Sequence, residues 1–394
     1  MKSPVSAKIE NFMERSSWIR KMFEEGARLK AELGAENIFD FTLGNPVNEP
    51  PAQVLAELER LVSDKTPGTH RYMQNAGFGE ARLAVADSLS KRSGCEFTQN
   101  HIIMTAGAGG ALNVIIKALV DSGDEIVITA PYFPEYLFYA DNHQAIVKIA
   151  ETDENFQLDL QKIEDALTSK TRILLLNSPN NPTGAVYPEE ALKEVGAMLE
   201  RVSQKNGRPV YLVMDEPYRK LVYGQVAVPE IFNSYKRSIV ATSHSKDLSL
   251  PGERIGYIAI GPDNDDIAKI GDAMTLANRI LGFVNAPALF QRLAAKAQDV
   301  KPDMTVYTKN RDLLLNGLRG AGYDVVSPEG GFYLFPKSPI ADDVRFVDDL
   351  KKMKILVVPG AGFGRIGHFR ISFCCDTAVC EKALPGFAEA IKGA

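Results

Sequence analysis

The chain has 394 residues, more than a single hydrophobic core usually holds, so we expect two domains. Its 45 basic and 50 acidic residues give a formal net charge of −5, and this balance argues against a nucleic-acid-binding protein. Hydrophobic residues at 45% and charged residues at 24% are ordinary globular values and exclude a disordered chain. The four cysteines do not form the pattern of a disulfide-rich secreted protein, so we expect a reducing compartment, the cytoplasm.

The N-terminal region shows no sign of membrane targeting. No apolar run is long enough to span a bilayer, and the first residues lack the apolar core of a signal peptide. Residues 16–33 have the apolar spacing of an amphipathic helix, which Ser16 or Ser17 could cap and Gly34 could end. We therefore expect a soluble protein that begins with a helix.

Short apolar runs recur through the middle of the chain and predict the strands of one sheet. They cover residues 102–105, 125–129, 145–149, 172–177, 209–215, 238–242 and 255–260. Several are apolar without alternation, as in strands that are covered on both faces. Helical patterns such as 111–120 and 189–202 lie between them. Alternation of this kind predicts a mostly parallel α/β sheet.

Two other regions differ from this alternation. Residues 43–51 contain Gly44 and three prolines and indicate a crossing between two domains. From about residue 290 a long helix is expected to lead into short strands at 331–335, 355–358 and 369–372. We therefore predict a large α/β domain over residues 51–288 and a small α+β domain formed by residues 1–50 and 289–394.

The segment 243–254 has the most specific chemistry. Lys246 follows an apolar strand, Ser243 and Ser245 precede it, and Arg254 follows it. A lysine amine becomes a nucleophile for carbonyl groups when neighbouring cations and partial burial lower its pKa. The serines and the arginine are suited to hold a phosphate beside it. For this lysine alone, an ordinary surface position is the commoner explanation.

Two further polar positions follow strands of the same predicted sheet. Asp215 ends an apolar run, so we expect a half-buried carboxylate at the edge where open α/β sheets bind ligands. Such a carboxylate needs a partner, for which a protonated pyridine nitrogen is suitable, and a helix cap is the alternative. Tyr218 could reach the same ligand. The loop 177–184 presents asparagine side chains as directed donors, although a plain turn would also explain its composition.

A run of small residues at 105–112 lies between a predicted strand and a predicted helix. Its backbone N–H groups and the positive end of the helix are suited to bind a phosphate. A dinucleotide-binding fingerprint is the alternative, but that fingerprint normally follows the first strand of its unit, and a lone glycine pattern is weak. The five histidines and four cysteines lack metal-binding spacing, so no metal site is expected.

In chain order, these motifs resemble those of class I/II aminotransferases, pyridoxal-phosphate enzymes with the aspartate-aminotransferase-like fold. The resemblance runs from about residue 38 to 390. It implies an α/β fold with a mostly parallel seven-stranded sheet in the large domain and a smaller α+β domain. It also implies that a cis peptide bond precedes Pro182, and Ala130–Pro131 is a second candidate.

The resemblance implies a role for each site residue. Lys246 would bind pyridoxal 5'-phosphate covalently and transfer the substrate's α-proton, and Asp215 would pair with the pyridine nitrogen. The other implied cofactor contacts are Asn181 and Tyr218 at the ring hydroxyl, Ser243, Ser245, Arg254 and the backbone of Ala108 and Gly109 at the phosphate, Phe133 on the ring face, and Tyr72 from a neighbouring subunit. The implied substrate contacts are Gly44, Asn181 and Arg370, of which Arg370 would receive the α-carboxylate. A core aromatic at Phe133 and a turn tyrosine at Tyr72 stay as alternatives.

The implied activity is amino-group transfer between an L-amino acid and a 2-oxo acid by a cytoplasmic homodimer that binds neither nucleic acid nor membranes. A carbon–sulfur β-lyase is the nearest alternative, because such relatives share nearly every cofactor residue. A non-catalytic ligand-sensing domain of the same fold is another. The presence of Lys246, Asp215 and Arg370 argues against a sensor.

Overall fold

The computed structural model describes residues 3–14 and 18–393. Its helices are α1 (Ala7–Glu14), α2 (Trp18–Leu33), α3 (Ala52–Ser63), α4 (Gly79–Ser93), α5 (Gly107–Leu119), α6 (Glu135–Asn142), α7 (Leu160–Ala166), α8 (Glu189–Asn206), α9 (Ile267–Ile280), α10 (Ala288–Lys296), α11 (Thr305–Ala321), α12 (Asp343–Lys352) and α13 (Thr377–Lys392). Its strands are β1 (Phe39–Asp40), β2 (Ile102–Thr105), β3 (Glu125–Ala130), β4 (Ile146–Glu151), β5 (Thr171–Asn177), β6 (Tyr211–Asp215), β7 (Ser238–Ser243), β8 (Gly256–Ile260), β9 (Tyr333–Leu334), β10 (Ile355–Leu356), β11 (Val358–Pro359) and β12 (Phe369–Ser372). Within these described ranges, no helix is both long and apolar enough to cross a membrane.

The chain divides into two compact units. The larger unit contains residues 45–304 and 328–331, and the smaller contains residues 1–44, 305–327 and 332–394. All seven strands predicted in the middle of the chain form, and all of them belong to the larger unit.

A seven-stranded sheet forms the centre of the larger unit, with the order β2-β8-β7-β6-β5-β3-β4. Only β8 runs antiparallel to its neighbours; the other strand pairs are parallel. The predicted mostly parallel α/β sheet is therefore confirmed. Because β3, β5, β6 and β7 run in the same direction, their carboxyl ends lie along one edge of the sheet.

The core of the larger unit explains why its strands carry apolar runs. Strands β2, β3, β6 and β8 are buried at every position, whereas the edge strand β4 has only one buried residue. Helices α5, α6 and α9 contribute side chains to the same hydrophobic cluster as the sheet. The central strands are thus covered on both faces, which removes any need for alternating polar residues.

The smaller unit is an α+β arrangement. Strands β11, β12 and β9 form an antiparallel sheet, and β1 pairs with β10 in parallel. Helix α11 packs against α13. A cluster of aromatic rings from Tyr323, Phe346, Phe369 and Phe387 fills the interior of this unit, with neighbouring centroids 5.4–6.5 Å apart.

The division of the chain differs from the predicted domain limits of 51–288 for the large domain and of 1–50 with 289–394 for the small one. Helix α10 packs against α3 and α4, and its Gln291 accepts the backbone N–H of Phe78. The segment up to residue 304 therefore belongs to the larger unit. The larger unit also begins at residue 45 rather than 51, and Asn48 donates to the Asp303 carbonyl within it.

One prediction about helices needs correction, and another concerns residues that the structure does not describe. The expected long helix after residue 290 is two helices, α10 and α11, and the segment between them contains Pro302. The first amphipathic helix ends at Leu33, immediately before Gly34, as expected. The proposed caps Ser16 and Ser17 lie outside the described residues.

Candidate functional site

The carboxyl edge of the large sheet collects several predicted site residues. Asn177 and Asp215 end the neighbouring strands β5 and β6 and are register partners. Ser243 ends β7 and is paired with Gly256, which in turn is paired with Thr105 at the end of β2. Residues from Thr105 to Gly256 thus meet at one edge, and helix α5 begins beside it.

Asp215 has the most perturbed environment at this edge. Its side chain is buried, and burial raises the pKa of the carboxyl from 3.8 to about 7. Tyr136 donates a hydrogen bond of 2.6 Å to Oδ2, which opposes this rise. Among the described residues, Oδ1 has no hydrogen-bond partner. A buried carboxylate oxygen without a donor favours a cationic ligand that would supply one.

Asn177 joins the Asp215 strand to the following loop. Its Nδ2 donates to the Asp215 carbonyl at 2.8 Å, and its Oδ1 accepts the backbone N–H of Asn181 at 2.7 Å. The loop closes further through Asn180, whose backbone N–H donates to the Ala185 carbonyl. Asn181 is buried, as a residue directed at a bound ligand would be. One side chain therefore fixes both neighbouring predicted site positions.

The cis-peptide prediction for this loop was wrong. The cis bonds are Ser178–Pro179 and Ala130–Pro131, so the second candidate is confirmed and the Asn181–Pro182 bond is not cis. The hydrogen bonds of Asn177 and Asn180 hold Asn181 in place with Pro182 in the trans form.

The turn after β7 carries Lys246 and separates its neighbours into two groups. The hydroxyls of Ser243 and Ser245 are 3.1 Å apart, and both side chains are buried. The His244 ring instead faces Asp247, with Nδ1 3.2 Å from the carboxylate. Lys246 itself is half-buried between these groups along the chain.

Burial and charge also define the far side of this turn. Asp247 is buried and accepts from Lys220 at 3.2 Å as well as from His244. Burial opposes ionisation of this carboxyl, but His244 and Lys220 together lower its pKa. The Lys220 ammonium also donates to the carbonyls of Gln298 and Val300. The Lys246 turn is therefore tied to the segment that follows Asp215.

The N-terminus of helix α5 forms the third part of the edge. Its N-cap residue is Ala106, which supplies no side-chain hydrogen bond to the first turn. Gly107 has a φ of +73°, and a Cβ built there would lie 2.7 Å from Nη2 of Arg254. The glycine thus allows a guanidinium to lie against the helix end that contains Ala108 and Gly109. Backbone N–H groups, a helix dipole and an arginine make this a suitable anion site.

Phe133 and Tyr218 are two further aromatic residues predicted at the site. Phe133 follows β3, and its ring is 5.6 Å from that of Tyr136, the donor to Asp215. Tyr218 is buried three residues after Asp215.

Tyr72 differs from the other predicted site residues because 89% of its side chain is exposed. It lies on a loop that is hydrogen-bonded on both sides, through Arg292 to the Thr69 carbonyl and through Asn285 to the Gln74 carbonyl. The loop therefore presents an ordered aromatic side chain to solvent.

Arg370 and Gly44 belong to the smaller unit. Arg370 is 2% exposed, and its guanidinium lies between the rings of Tyr333 and Phe363, at 4.7 and 4.8 Å from their centroids. Its Nη2 donates to the carbonyl of Thr42. A Cβ at Gly44 would lie 2.0 Å from the Tyr333 hydroxyl, so only glycine allows this approach. The arginine predicted to receive a carboxylate is therefore buried and oriented by its surroundings.

Three residues at these positions were missed by sequence reasoning. Tyr136, Asn177 and Tyr333 contact Asp215, Asn181 and Arg370 through the tertiary structure. Asn177 stood in a motif that we had singled out, and its place at the end of a strand was a usable signal. No local pattern distinguished Tyr136 or Tyr333 from ordinary core aromatics.

Comparisons with known proteins bear on this arrangement. The sequence model of the family described as aminotransferase class I and II matches residues 36–387. The chain belongs to the class I and II aminotransferase family. The recognised resemblance is therefore confirmed over nearly the whole chain.

Individual relatives give the same result. A probable aspartate aminotransferase of Methanocaldococcus jannaschii is 30% identical over 388 residues, covering 96% of this chain and 98% of that protein. An aspartate/prephenate aminotransferase of Thermus thermophilus is 34% identical, covering 89% and 90%. A crystal structure of an aminotransferase from Eubacterium rectale superposes with a TM-score of 0.96 at 38% identity, covering 99% of each chain. The predicted fold is thus confirmed.

This aminotransferase is an enzyme that moves an amino group between an amino acid and a 2-oxo acid, and members of its family depend on pyridoxal phosphate. The relatives described above are named as aminotransferases, which favours transfer over β-elimination and over a sensor without turnover.

Proposed function

We propose that the chain binds pyridoxal 5'-phosphate at the carboxyl edge of the large sheet and that Lys246 is its covalent attachment point. The buried Oδ1 of Asp215, which lacks a hydrogen-bond partner among the described residues, is the observation that carries this proposal. A protonated pyridine nitrogen supplies the missing donor and offsets the cost of burying the carboxylate. The first turn of α5, Ser243, Ser245 and Arg254 then hold the phosphate, and Tyr72 of a second subunit adds a further contact.

Each protein group has a separate task in the proposed reaction. When bound, pyridoxal phosphate supplies a ring that accepts the electron pair left behind as the substrate's α-proton departs. Asp215 would keep the pyridine nitrogen protonated, and Phe133 would cover one face of the ring. Asn181 and Tyr218 would donate to the ring hydroxyl. The Lys246 amine would take up the substrate's α-proton as a general base and release it again as a general acid.

The substrate side of the proposal rests on Arg370. A guanidinium forms a bidentate pair with a carboxylate, which gives direction as well as strength. We propose that Arg370 binds the α-carboxylate of both the amino acid and the 2-oxo acid, and that Gly44 and Asn181 contact the substrate. Aspartate is the first donor to test, because several relatives are named for it.

Reduction with borohydride tests the attachment point. The holoenzyme is expected to be yellow, and borohydride should fix the cofactor to Lys246, as peptide mass spectrometry will show. Lys246→Ala should lose both colour and activity. The matched variant Lys236→Ala, which alters an exposed lysine paired with Asp265, should keep both. Label on another lysine would contradict the proposal.

The acceptor requirement tests the reaction type. Amino-group transfer requires a 2-oxo acid for turnover, whereas a β-lyase releases ammonia without one. We expect turnover of an amino donor to stop when 2-oxoglutarate, pyruvate and other acceptors are all omitted. Ammonia release under those conditions at a rate equal to that of the complete reaction would support the lyase.

We also propose that the enzyme is a cytoplasmic homodimer. The exposed Tyr72 on an ordered loop supports a second subunit, as do the exposed apolar side chains of Leu276 and Ile280 on α9. All cysteines within the described ranges are free thiols, in keeping with a reducing compartment.

A further inference from the structure

The segment that ends at Thr42 is hydrogen-bonded to the strand that carries Arg370. Strand β1 pairs with β10, with Asp40 opposite Leu356. The next residue, Phe41, donates its backbone N–H to the Leu356 carbonyl and accepts from the Ser372 N–H. The backbone immediately before Thr42 is therefore held by two neighbouring segments, and Thr42 itself is fully buried.

The Asp40 carboxylate binds Thr42 through both its backbone N–H and its hydroxyl. Its Oδ1 accepts the backbone N–H of Thr42 at 3.0 Å and the Thr42 hydroxyl at 2.6 Å. Its Oδ2 accepts from the Lys30 ammonium at 2.6 Å. Gly26, one turn before Lys30 on α2, allows this helix to come close, because a Cβ there would lie 2.9 Å from Cδ1 of Leu356, the residue opposite Asp40.

The hydrogen bond to Thr42 adds a directional contact to the Arg370 guanidinium. The guanidinium carbon lies 4.7 and 4.8 Å from the ring centroids of Tyr333 and Phe363. The hydrogen bond from Nη2 to the Thr42 carbonyl fixes the direction of one N–H edge of the guanidinium. A bidentate pair with a carboxylate depends on the direction of the guanidinium as well as on its charge.

We propose that Asp40 is a positioning residue for recognition of the substrate's α-carboxylate, acting through Thr42 on Arg370. Lys30 holds the Asp40 carboxylate in the orientation that serves Thr42. This inference rests on the carboxylate-binding role proposed for Arg370. An Asp40 that only stabilises a turn would affect folding but not the discrimination between a carboxylate and its absence.

Discrimination between an amino acid and the amine that lacks its carboxylate is the decisive measurement. Asp40→Ala should lower kcat/KM for the amino acid about tenfold, mainly through KM, while the rate with the amine stays within about twofold. Asp40→Asn keeps an acceptor for Thr42 and should lose no more than about threefold. In the Arg370→Ala background, Asp40→Ala should add no further loss of discrimination.

Two more measurements make the test independent of turnover and of folding. The holoenzyme's affinity for the best donor without its amino group, a simple carboxylic acid, should fall about tenfold in Asp40→Ala by calorimetry. Thr42→Val, which removes one hydrogen bond to Asp40 without changing side-chain shape, should shift the same ratio about threefold even if Asp40→Ala folds poorly. Asp312→Ala, which removes another ion pair of the smaller unit, should change neither.

The outcomes separate this inference from the function beneath it. If Asp40→Ala and Thr42→Val leave the preference for the amino acid unchanged, or lower both substrates equally, the positioning role is wrong. If Arg370→Ala itself keeps the preference, the carboxylate role of Arg370 fails, and with it the basis of the inference. Loss of preference in Arg370→Ala but not in the Asp40 and Thr42 variants rejects the inference alone.

Discussion

Asp215 has a buried carboxyl group that is costly to ionise in the protein without a ligand. Burial without a cation raises the pKa of its carboxyl from 3.8 to about 7. An acid whose pKa rises on folding binds its proton more tightly in the native state. Its contribution to stability is therefore complete below pH 3.8 and is lost as the pH rises to about 7.

The first prediction concerns this pH range in the cofactor-free protein. Asp215→Asn cannot ionise, so its free energy of unfolding relative to wild type should improve between about pH 4 and pH 8, by up to about 4 kcal/mol. Urea unfolding at a series of pH values measures the difference. Parallel pH profiles for the two proteins would show that Asp215 does not titrate in this way.

A companion variant checks the cause. Tyr136→Phe removes the hydrogen bond that opposes the rise of the Asp215 pKa. The pH dependence of its stability should therefore extend to higher pH than in wild type. Tyr132→Phe, a nearby buried tyrosine, serves as the matched control and should follow wild type.

A second prediction concerns the bidentate hydrogen-bonding geometry of the Arg370 guanidinium. Arg370→Lys keeps the charge but loses the bidentate geometry, so kcat/KM for amino acids should fall at least about thirtyfold, or about 2 kcal/mol. Stopped-flow half-reactions with an amino acid and its decarboxylated amine measure this loss. Arg345→Lys on the exposed face of α12 is the control. An equal loss with both substrates would assign Arg370 a structural role.

At the scale of elements, the ends of β5 and β6 are joined through Asn177 as well as through the backbone ladder. Its amide satisfies the Asp215 carbonyl and the Asn181 N–H, both in a buried setting. A buried backbone group that loses its partner costs about 1–3 kcal/mol. The strand ends and the loop are therefore stabilised as one unit.

Asn177→Ala should accordingly destabilise the protein by about 2–4 kcal/mol and weaken cofactor binding at least about tenfold. Chemical denaturation and a titration of apoprotein with pyridoxal phosphate measure the two effects. Asn206→Ala also removes one hydrogen bond to a carbonyl, from the end of α8, and should leave cofactor affinity unchanged. Unchanged affinity in Asn177→Ala would mean that the loop holds its shape without this side chain.

At the level of the whole molecule, the exposure of Tyr72 has no explanation within a single chain. An ordered loop holds a large aromatic side chain in solvent, where it buries little area. In a two-fold dimer, the same loop of each subunit can reach the other subunit's site, and the contact is reciprocal.

The dimer can be tested by mixing two inactive variants, Tyr72→Ala and Lys246→Ala. Each hybrid dimer should contain one site with both residues intact. Random exchange of equal amounts should therefore restore about a quarter of the wild-type activity. Each variant incubated alone provides the control. A fully active monomer in sedimentation velocity would end the proposal.

The amino-acid sequence was sufficient to predict the large sheet. Apolar runs without alternation are typical of strands covered on both faces, and these runs located all seven strands of the large sheet. Asp215 ends such a run, and Lys246 and Asn181 lie three and four residues after the ends of β7 and β5. The carboxyl ends of parallel strands meet at one edge, so local position was enough to predict their proximity.

The tertiary structure decided the features that depend on contacts between distant segments. Tyr136 donates to Asp215 across 79 residues of sequence, and Arg370 donates to the Thr42 carbonyl across 328 residues. No local sequence pattern carries information over such separations. The unit boundary at residue 304 depends on how α10 packs, and the sequence of a helix does not show which other helices it will pack against. The cis bond before Pro179 rather than Pro182 likewise belongs to a loop closed by hydrogen bonds from Asn177 and Asn180. Local propensity selects the elements, but packing and long-range hydrogen bonds select which side chains complete the site.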